Sequence, residues 1–526
     1  MEADFVVVGA GAAGCAVASR LVRLRLGTVL VVEAGGRGRD QRLQVPMAFH
    51  LALQQQRLTH RYQAQPLLPG GPSETWVRGR VVGGSTAING MMYARGEAVD
   101  YNDLEAAGNP GWGWAQMLST FLAMEDHQSG DGRTEGIPGR MPITISEPGG
   151  AISAAVLRAA AGLGIAPVHD INQGTGERIG STPSNIRNGR RVSAARAFLS
   201  DVTGPDLQVL TEATASHLLF DGSRVVGVRI RRRGSVIDLR ARREVLLAAG
   251  TIESPLLLER SGIGRAEVLG RAGVGLRVEH PKIGEQVIEH RAVTVKARLR
   301  PGLGHNPRLD TRTKRLAMAA RYLVHRGGML GRGPVDLIGL VRATPDADRP
   351  DAQLLFASLS TDDTGLAVAD HPGLMIQGYP LRPTTAGSLH ITGPLPEDPP
   401  EIRPRFLETQ HDREITAGIL RRIREFLDTD AMRELVIEEL APGAATASTD
   451  EVAAYVLQSG AGIYHAVGSC SMGPREDDVV DESLRVRGVT GLRIVDASVL
   501  PRMLSGGTAA PTMAVAWRAA DIIAAT

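Results

Sequence analysis

A glycine turn between a strand and a helix constrains this chain more than any other feature. Phe5 to Val8 reads as a short apolar strand, Gly9 to Gly14 as the turn, Cys15 to Val22 as a helix with small residues facing the strand, and Thr28 to Val32 as a second strand. The unit has the length of half a dinucleotide-binding fold, about thirty residues. Gly9 permits the tight turn, Gly11 lets backbone approach a pyrophosphate, and Gly14 allows close helix–strand packing. The N–H groups where the helix begins, at Ala12 and Ala13, stabilise the anion together with the helix dipole. Glu33 lies nineteen residues after Gly14 and is followed by Ala34. A carboxylate there accepts both hydroxyls of an adenosine ribose and repels the 2′-phosphate of NADP. These residues leave FAD and NAD both open.

At 526 residues the chain is too long for one ordinary core, and its length predicts roughly two to four domains. No stretch approaches the ~18 uninterrupted apolar residues of a membrane-spanning helix. Lys plus Arg (59) nearly balances Asp plus Glu (57), so a net charge of +2 supplies no global field to recruit nucleic acid or anionic membrane. The local run Arg229, Arg231, Arg232, Arg233, Arg240, Arg242 and Arg243 flanks Gly234 and reads as the solvated face of a hairpin. Cys15 and Cys470 stand far apart, which predicts neither a disulfide framework nor a zinc cluster, and no metal is expected. The opening Met1-Glu2-Ala3-Asp4-Phe5 lacks the basic and apolar regions of a secretory signal, so a reducing, cytoplasmic location is expected.

Further along, Val225 to Ile230 and Val236 to Leu239 read as paired strands, and Glu244 to Ala249 as another strand running into Gly250. From about 291 to 430 the texture changes to Pro- and Arg-rich loops between short strands such as Gln353 to Leu359 and Leu374 to Tyr379, with an amphipathic helix from Asp412 to Leu427. This stretch is expected to form a separate domain. Leu492 to Asp496 and the helix Thr512 to Ile523 return to strand-then-helix texture and rejoin the first domain.

The segment Gly79-Arg80-Val81-Val82-Gly83-Gly84-Ser85-Thr86-Ala87-Ile88-Asn89-Gly90-Met91-Met92-Tyr93-Ala94-Arg95-Gly96 closely resembles the first signature of the glucose-methanol-choline (GMC) flavoprotein oxidoreductases. Gly250-Thr251-Ile252-Glu253-Ser254-Pro255, continuing to Gly264, resembles the second. Further matches lie at Ser193–Leu199, Tyr464–Gly473 and Val495–Pro501, so the resemblance spans nearly the whole chain and is weakest between about 291 and 370. It implies FAD, in a Rossmann-like α/β domain joined to an α+β substrate domain with a mainly antiparallel sheet. The expected division is 1–150, 190–290 and 455–526 for FAD and 151–189 and 291–454 for substrate. Gly83 and Gly84 let backbone pass close to a planar ring, and Asn89 with the backbone after it can bond the polar edge of an isoalloxazine. The cofactor residues implied are Gly9, Gly11, Ala12, Ala13, Gly14, Glu33, Ala34, Val82, Ser85, Asn89, Gly90, Met91, Met92, Thr214, Asp496, Ala497, Pro511 and Thr512. Where some relatives attach FAD through a histidine just before this asparagine, Ile88 stands here, so the flavin is expected to be noncovalent.

Members of the family pass a hydride from an alcohol to flavin N5 while a base takes the hydroxyl proton. His465 matches the catalytic histidine, a neutral imidazole at physiological pH, and Tyr464 before it is the candidate substrate contact. His217, His325 and His390 read as packed or surface histidines and Cys470 as a small buried hydrophobe. The family's second polar residue, His or Asn, belongs about forty residues later, where this chain has Ser505-Gly506-Gly507-Thr508-Ala509-Ala510-Pro511-Thr512. Gly507 occupies the second catalytic position and Ala509 replaces the next asparagine. A missing hydrogen-bond partner removes a few kcal/mol of transition-state stabilisation unless another group substitutes. The expected activity is FAD-dependent oxidation of an alcohol, a small-molecule substrate, to a carbonyl, with oxygen or another electron acceptor. Gly507 keeps two alternatives open, a hydroxynitrile-lyase-like FAD protein and a non-redox flavoprotein of the same fold. A light-driven decarboxylase would need a long apolar channel, for which the sequence offers no sign.

Overall fold

The computed structural model describes residues 1–128, 134–147, 149–202, 204–362 and 367–526. Glu2–Val8 lies at the centre of a seven-stranded sheet, parallel to Val29–Val32 on one side and to Ser235–Leu247 on the other. Leu207–Leu210 extends it beyond Val29–Val32, and Leu492–Ile494 joins in parallel at Val245–Leu247, so the end of the chain does return to its beginning. Residues 5–8 and Val29–Val32 are apolar and buried on both faces, as strands covered from both sides must be, and Leu492–Ile494 is buried with Arg493 in its middle. The helix that follows the glycine turn, Ala12–Arg23, is accompanied by the last helix, Ala509–Ala525, with Arg20 paired to Asp521 at 2.7 Å.

Val236–Leu239 and Glu244–Ala249, expected as two strands, are one thirteen-residue strand, Ser235–Leu247. Its first half pairs antiparallel with Arg224–Arg232 and its second half parallel with the opening strand. Arg240, Arg242 and Arg243, which lie between the two expected strands, are exposed residues along one extended strand. Arg233 and Gly234 form the hairpin turn with φ of 50° and 83°, the paired positive values that match strand twist. Arg229 faces Asp238 across the strands at 2.7 Å, which gives the basic run a solvated, charge-paired face.

The second sheet has eight strands along the order Val436–Ala441, Arg291–Leu299, Gly373–Pro380, Ala352–Ala357, Leu337–Val341, Arg178–Ser181 and Ala166–Val168, with Ala461–Gly462 pairing Arg291–Leu299. It is antiparallel except at its last pair. Gln410–Leu427 covers it with Ile415, Ile419, Ile423 and Phe426, and the methyl of Ile419 fills the space left by Gly378. This helix begins two residues before the expected start because Thr409 caps it, accepting the Asp412 N–H at 3.2 Å. The strand expected over Gln353–Leu359 stops at Ala357, where Ser358 turns to give its N–H to Asp336. A Rossmann-like sheet and a mainly antiparallel one are thus both present. Among the described residues no helix is long and apolar enough to cross a membrane, and no group of three or more His, Cys, Asp or Glu is placed to hold a metal ion.

Candidate active site

The glycine turn is built by close approach. A Cβ on Gly9 (φ 105°) would lie 2.4 Å from the Ala248 carbonyl oxygen, and one on Gly14 would lie 1.8 Å from that of Gly9. Gly11 differs, because a Cβ there meets only Gly84 Cα at 3.9 Å. Gly11 is also the N-cap of Ala12–Arg23, and no side chain satisfies the first N–H groups of that helix. Glu33 is buried; one carboxylate oxygen accepts the Ala10 N–H at 3.0 Å and the other the Gly35 N–H, just past Ala34, at 2.7 Å. Burial pushes its carboxyl up to about 7, against the pull of those two N–H groups. Thr214 stands beside this strand end, since Ala213 donates to the Glu33 carbonyl.

The first signature segment closes over the turn. Gly83 donates to the Ala10 carbonyl at 2.7 Å, Val82 donates to Gly36 at 3.0 Å, and Gly84 (φ 52°) lies so near Gly11 that a Cβ would come within 2.6 Å of its Cα. Ser85 Oγ accepts the Gly79 N–H, while the oxygen of Asn89 accepts from Met91 N–H at 3.1 Å and from Arg191 Nη1 at 2.8 Å. That oxygen therefore shapes its own loop, with Met91, just after Gly90, at φ 62° and Met92 bridged to Ser184. Arg191 is a buried guanidinium whose Nε and Nη2 have no partner among the described residues, and burial pulls it down to about 9. Sequence reasoning passed over it because it sits in an ordinary-looking Arg pair.

Asp496 is committed to structure: its carboxylate takes Gly250 N–H, both hydroxyls of Ser254 and Ser498, and Ser498 N–H, all within 2.9 Å. Only its backbone and that of Ala497 are left for a cofactor. Pro511 and Thr512 are buried in the first turn of Ala509–Ala525, where Thr512 Oγ1 donates back to Thr508. Cys15 and Cys470 are buried free thiols, and His390 is packed between Glu259 (2.6 Å) and Glu285 (3.2 Å). His217 lies in the strand Ala213–Asp221, and His325 ends the exposed helix Arg312–His325.

His465 and Gly507 do come together, since a Cβ on Gly507 would lie 3.5 Å from His465 Nε2. Gly507 therefore leaves open the space in front of that nitrogen. The other ring nitrogen faces a residue the sequence did not single out: His465 Nδ1 is 3.0 Å from His290 Nδ1. His290 is fully buried, and its Nε2 is 3.1 Å from the Leu381 carbonyl oxygen. A carbonyl only accepts, so His290 Nε2 carries the proton and its Nδ1 offers a lone pair. His465 Nδ1 must then be the donor, which leaves a lone pair on Nε2, the nitrogen facing Gly507. Burial pulls His290 down to about 4, and burial, His290 and Arg78 hold His465 well below its ordinary value.

Glu289 fixes the backbone here, accepting the N–H groups of His465 (2.6 Å), Ala466 (3.0 Å) and His290 (2.9 Å), with Arg78 at 3.5 Å. Arg78 also lies over the ring of Tyr464, an exposed residue at φ 66°. Tyr379 packs against both histidines, with ring centroids 4.6 and 5.9 Å away. The loop bearing Gly507 is held by Asp100, which accepts the Ser505 N–H, and by Arg382, which donates to Ser505 Oγ. The available signal for Glu289 and His290 was the polar trio Glu289-His290-Arg291 between the apolar Val287-Ile288 and Ala292-Val293.

Two family models, both described as GMC oxidoreductase, match residues 3–292 and 383–516. The chain is 31% identical to "Alcohol dehydrogenase [acceptor]" of Pseudomonas putida over 525 residues, 99% of this chain and 95% of that one. It is 32% identical to "Choline dehydrogenase, mitochondrial" of Homo sapiens over 534 aligned residues, 99% and 90% of the two chains. Among solved structures, pyridoxine 4-oxidase from Mesorbium loti superposes with a TM-score of 0.88 at 29% identity, covering 99% of both chains. A formate oxidase shares the fold at a TM-score of 0.90 and 24% identity, covering 100% of this chain and 98% of the other.

Proposed function

The chain belongs to the GMC oxidoreductase family and is an FAD-dependent oxidoreductase, and we propose that it oxidises an alcohol CH–OH group with His465 as the base. The residues at the glycine turn fit the cofactor: a Cβ on Gly11 would make only an ordinary 3.9 Å contact with Gly84, the first N–H groups of its helix have no side-chain cap, and Glu33 retains lone pairs for ribose hydroxyls. The backbone of Gly83, Gly84, Gly90 and Met91 and the unpartnered nitrogens of Arg191 would complete the holding of FAD, which when bound supplies the hydride acceptor. Ile88, buried and without a nucleophile, supports noncovalent attachment. Acid precipitation should therefore release all the flavin into the supernatant, and yellow colour left in the pellet would contradict it.

The observation that carries the reading is the tautomer chain from Leu381 through His290 to His465. It points the lone pair of Nε2 toward the space beside Gly507, where a substrate hydroxyl can donate its proton. On protonation His465 keeps its Nδ1–H bond to His290, a neutral acceptor that cannot take the proton onward while its own Nε2–H is held by Leu381. Gly507 adds no hydrogen bond to the substrate oxygen and gives room for a substituent on the carbinol carbon. The test is to add primary, benzylic and sugar alcohols to the purified protein without oxygen and follow flavin absorbance. Bleaching by an alcohol is expected, and readmitted oxygen then separates an oxidase, which releases peroxide, from a dehydrogenase. No bleaching across the panel would overturn the proposal and favour the lyase reading, for which the empty position at Gly507 is the motive.

A further inference from the structure

The helix Arg312–His325 departs from the rule that an amphipathic helix buries its apolar stripe. Leu316, Leu323 and Val324 are 69%, 65% and 73% exposed, and Ala317 and Ala320 are exposed with them. At 100° per residue these five fall on one face, an arc of about 120°. Arg312 and Arg315 flank the arc on one side and Lys314 and Arg321 on the other, all exposed. The helix is anchored from the opposite face, where Tyr322 is buried and donates to the Gly189 carbonyl at 2.8 Å. No Asp or Glu occurs between Asp310 and Asp336, whereas six Arg or Lys do: Arg312, Lys314, Arg315, Arg321, Arg326 and Arg332. The neighbouring turn around Gly189 adds Arg187 and Arg190; acids beside this basic set include Asp310, paired with Lys314 at 2.8 Å, Asp126, 3.8 Å from Arg187, and Glu147 and Asp336, which line one small cavity with Arg332.

From this exposed stripe and its basic borders we infer that Arg312–His325 is a docking helix for an anionic membrane surface. An apolar stripe that enters the headgroup boundary, edged by cations that meet lipid phosphates, is the pattern of a helix lying in the interface. Charge complementarity favours lipid over a second copy of the chain, because two such faces brought together would set Arg312, Arg315 and Arg321 against like charges. The helix lies flat on the bilayer and does not enter its core. The segment after it leads directly to the first signature loop, since Pro334 is 3.5 Å from where a Cβ on Gly90 would stand. Docking would therefore hold the flavin loop next to the lipid, whatever alcohol the enzyme takes.

FAD-loaded, full-length protein should be sedimented with vesicles of phosphatidylcholine alone and of phosphatidylcholine mixed with phosphatidylglycerol. It is expected to pellet with the mixed vesicles only, and less so as salt is raised. Leu316→Glu with Leu323→Glu should weaken binding at least ten-fold, while removing Arg312, Arg315 or Arg321 should cost about five-fold each. Because these side chains face solvent, the variants should keep their flavin spectrum and rate of reduction. Protein that stays in the supernatant with both vesicles, or a double variant that binds as the parent does, would overturn the inference. So would light scattering that shows a dimer in the parent and a monomer in the double variant, which would assign the stripe to a second copy.

Discussion

Gly9, Gly11 and Gly14 work by lacking side chains, whereas His465 works through a side chain that three other segments orient. At the glycine turn, the gaps are already filled by backbone from Ala248, Gly9 and Gly84, leaving the face of Gly11 clear. At the histidine, the complementary opening lies where family members place a polar group and this chain has Gly507. Both regions contain a glycine where something must approach. In the first the proposed visitor is the cofactor, and the uncapped N–H groups at the start of Ala12–Arg23 are left to meet it. In the second the proposed visitor is the substrate, which His465 Nε2 beside Gly507 would meet. The two regions are therefore built differently, the first largely from backbone of the turn and of the loop 83–91 together with Glu33, the second from side chains far apart in sequence.

Substituting Gly14 should break the first region outright. Gly14→Ala places a methyl 1.8 Å from the Gly9 carbonyl oxygen, so the protein should be recovered without flavin, if it folds at all, by absorbance of the purified fraction. His465→Ala should break only the second region, leaving FAD bound while slowing flavin reduction about 100-fold or more in stopped flow. His290→Ala sharpens the contrast further, because His290 is a positioning residue. Flavin reduction should slow about ten- to a hundred-fold, as when an orienting partner is removed, with FAD content unchanged. Its distinguishing readout is the pH profile. Loss of His290 removes one cause of the depressed His465 value, so the acid limb of the rate should move to higher pH. The smallest effect belongs to Gly507→Ala, whose methyl makes an ordinary 3.5 Å contact with Nε2. The fold should hold, and bulky alcohols should lose about ten-fold in kcat/KM relative to small ones.

The legibility of the two regions in the sequence follows the same division. Gly9, Gly11, Gly14 and Glu33 could be read because the constraints act within one strand–turn–helix–strand unit, and the sheet around them has the expected parallel neighbours. The signature segment at Gly79–Gly96 could be read from resemblance, yet its contact with Gly11 is a tertiary fact. Asp496 drew attention as a cofactor residue, while its carboxylate is saturated by Gly250, Ser254 and Ser498, none of which is predictable from spacing. His290 was illegible for a plain reason: it lies 175 residues from His465 and becomes informative only when the Leu381 carbonyl fixes its tautomer. The break expected between Leu239 and Glu244 failed because charge on exposed positions does not interrupt an extended backbone.

The most direct test of the account is the pH dependence of flavin reduction by an alcohol that bleaches the parent protein. With His465 as a buried base whose imidazolium form is disfavoured, the rate should stay level from neutral pH downward and fall only well below pH 6.5 as the ring is protonated. An acid limb at or above 6.5, or one that persists unchanged in His465→Ala, would contradict it.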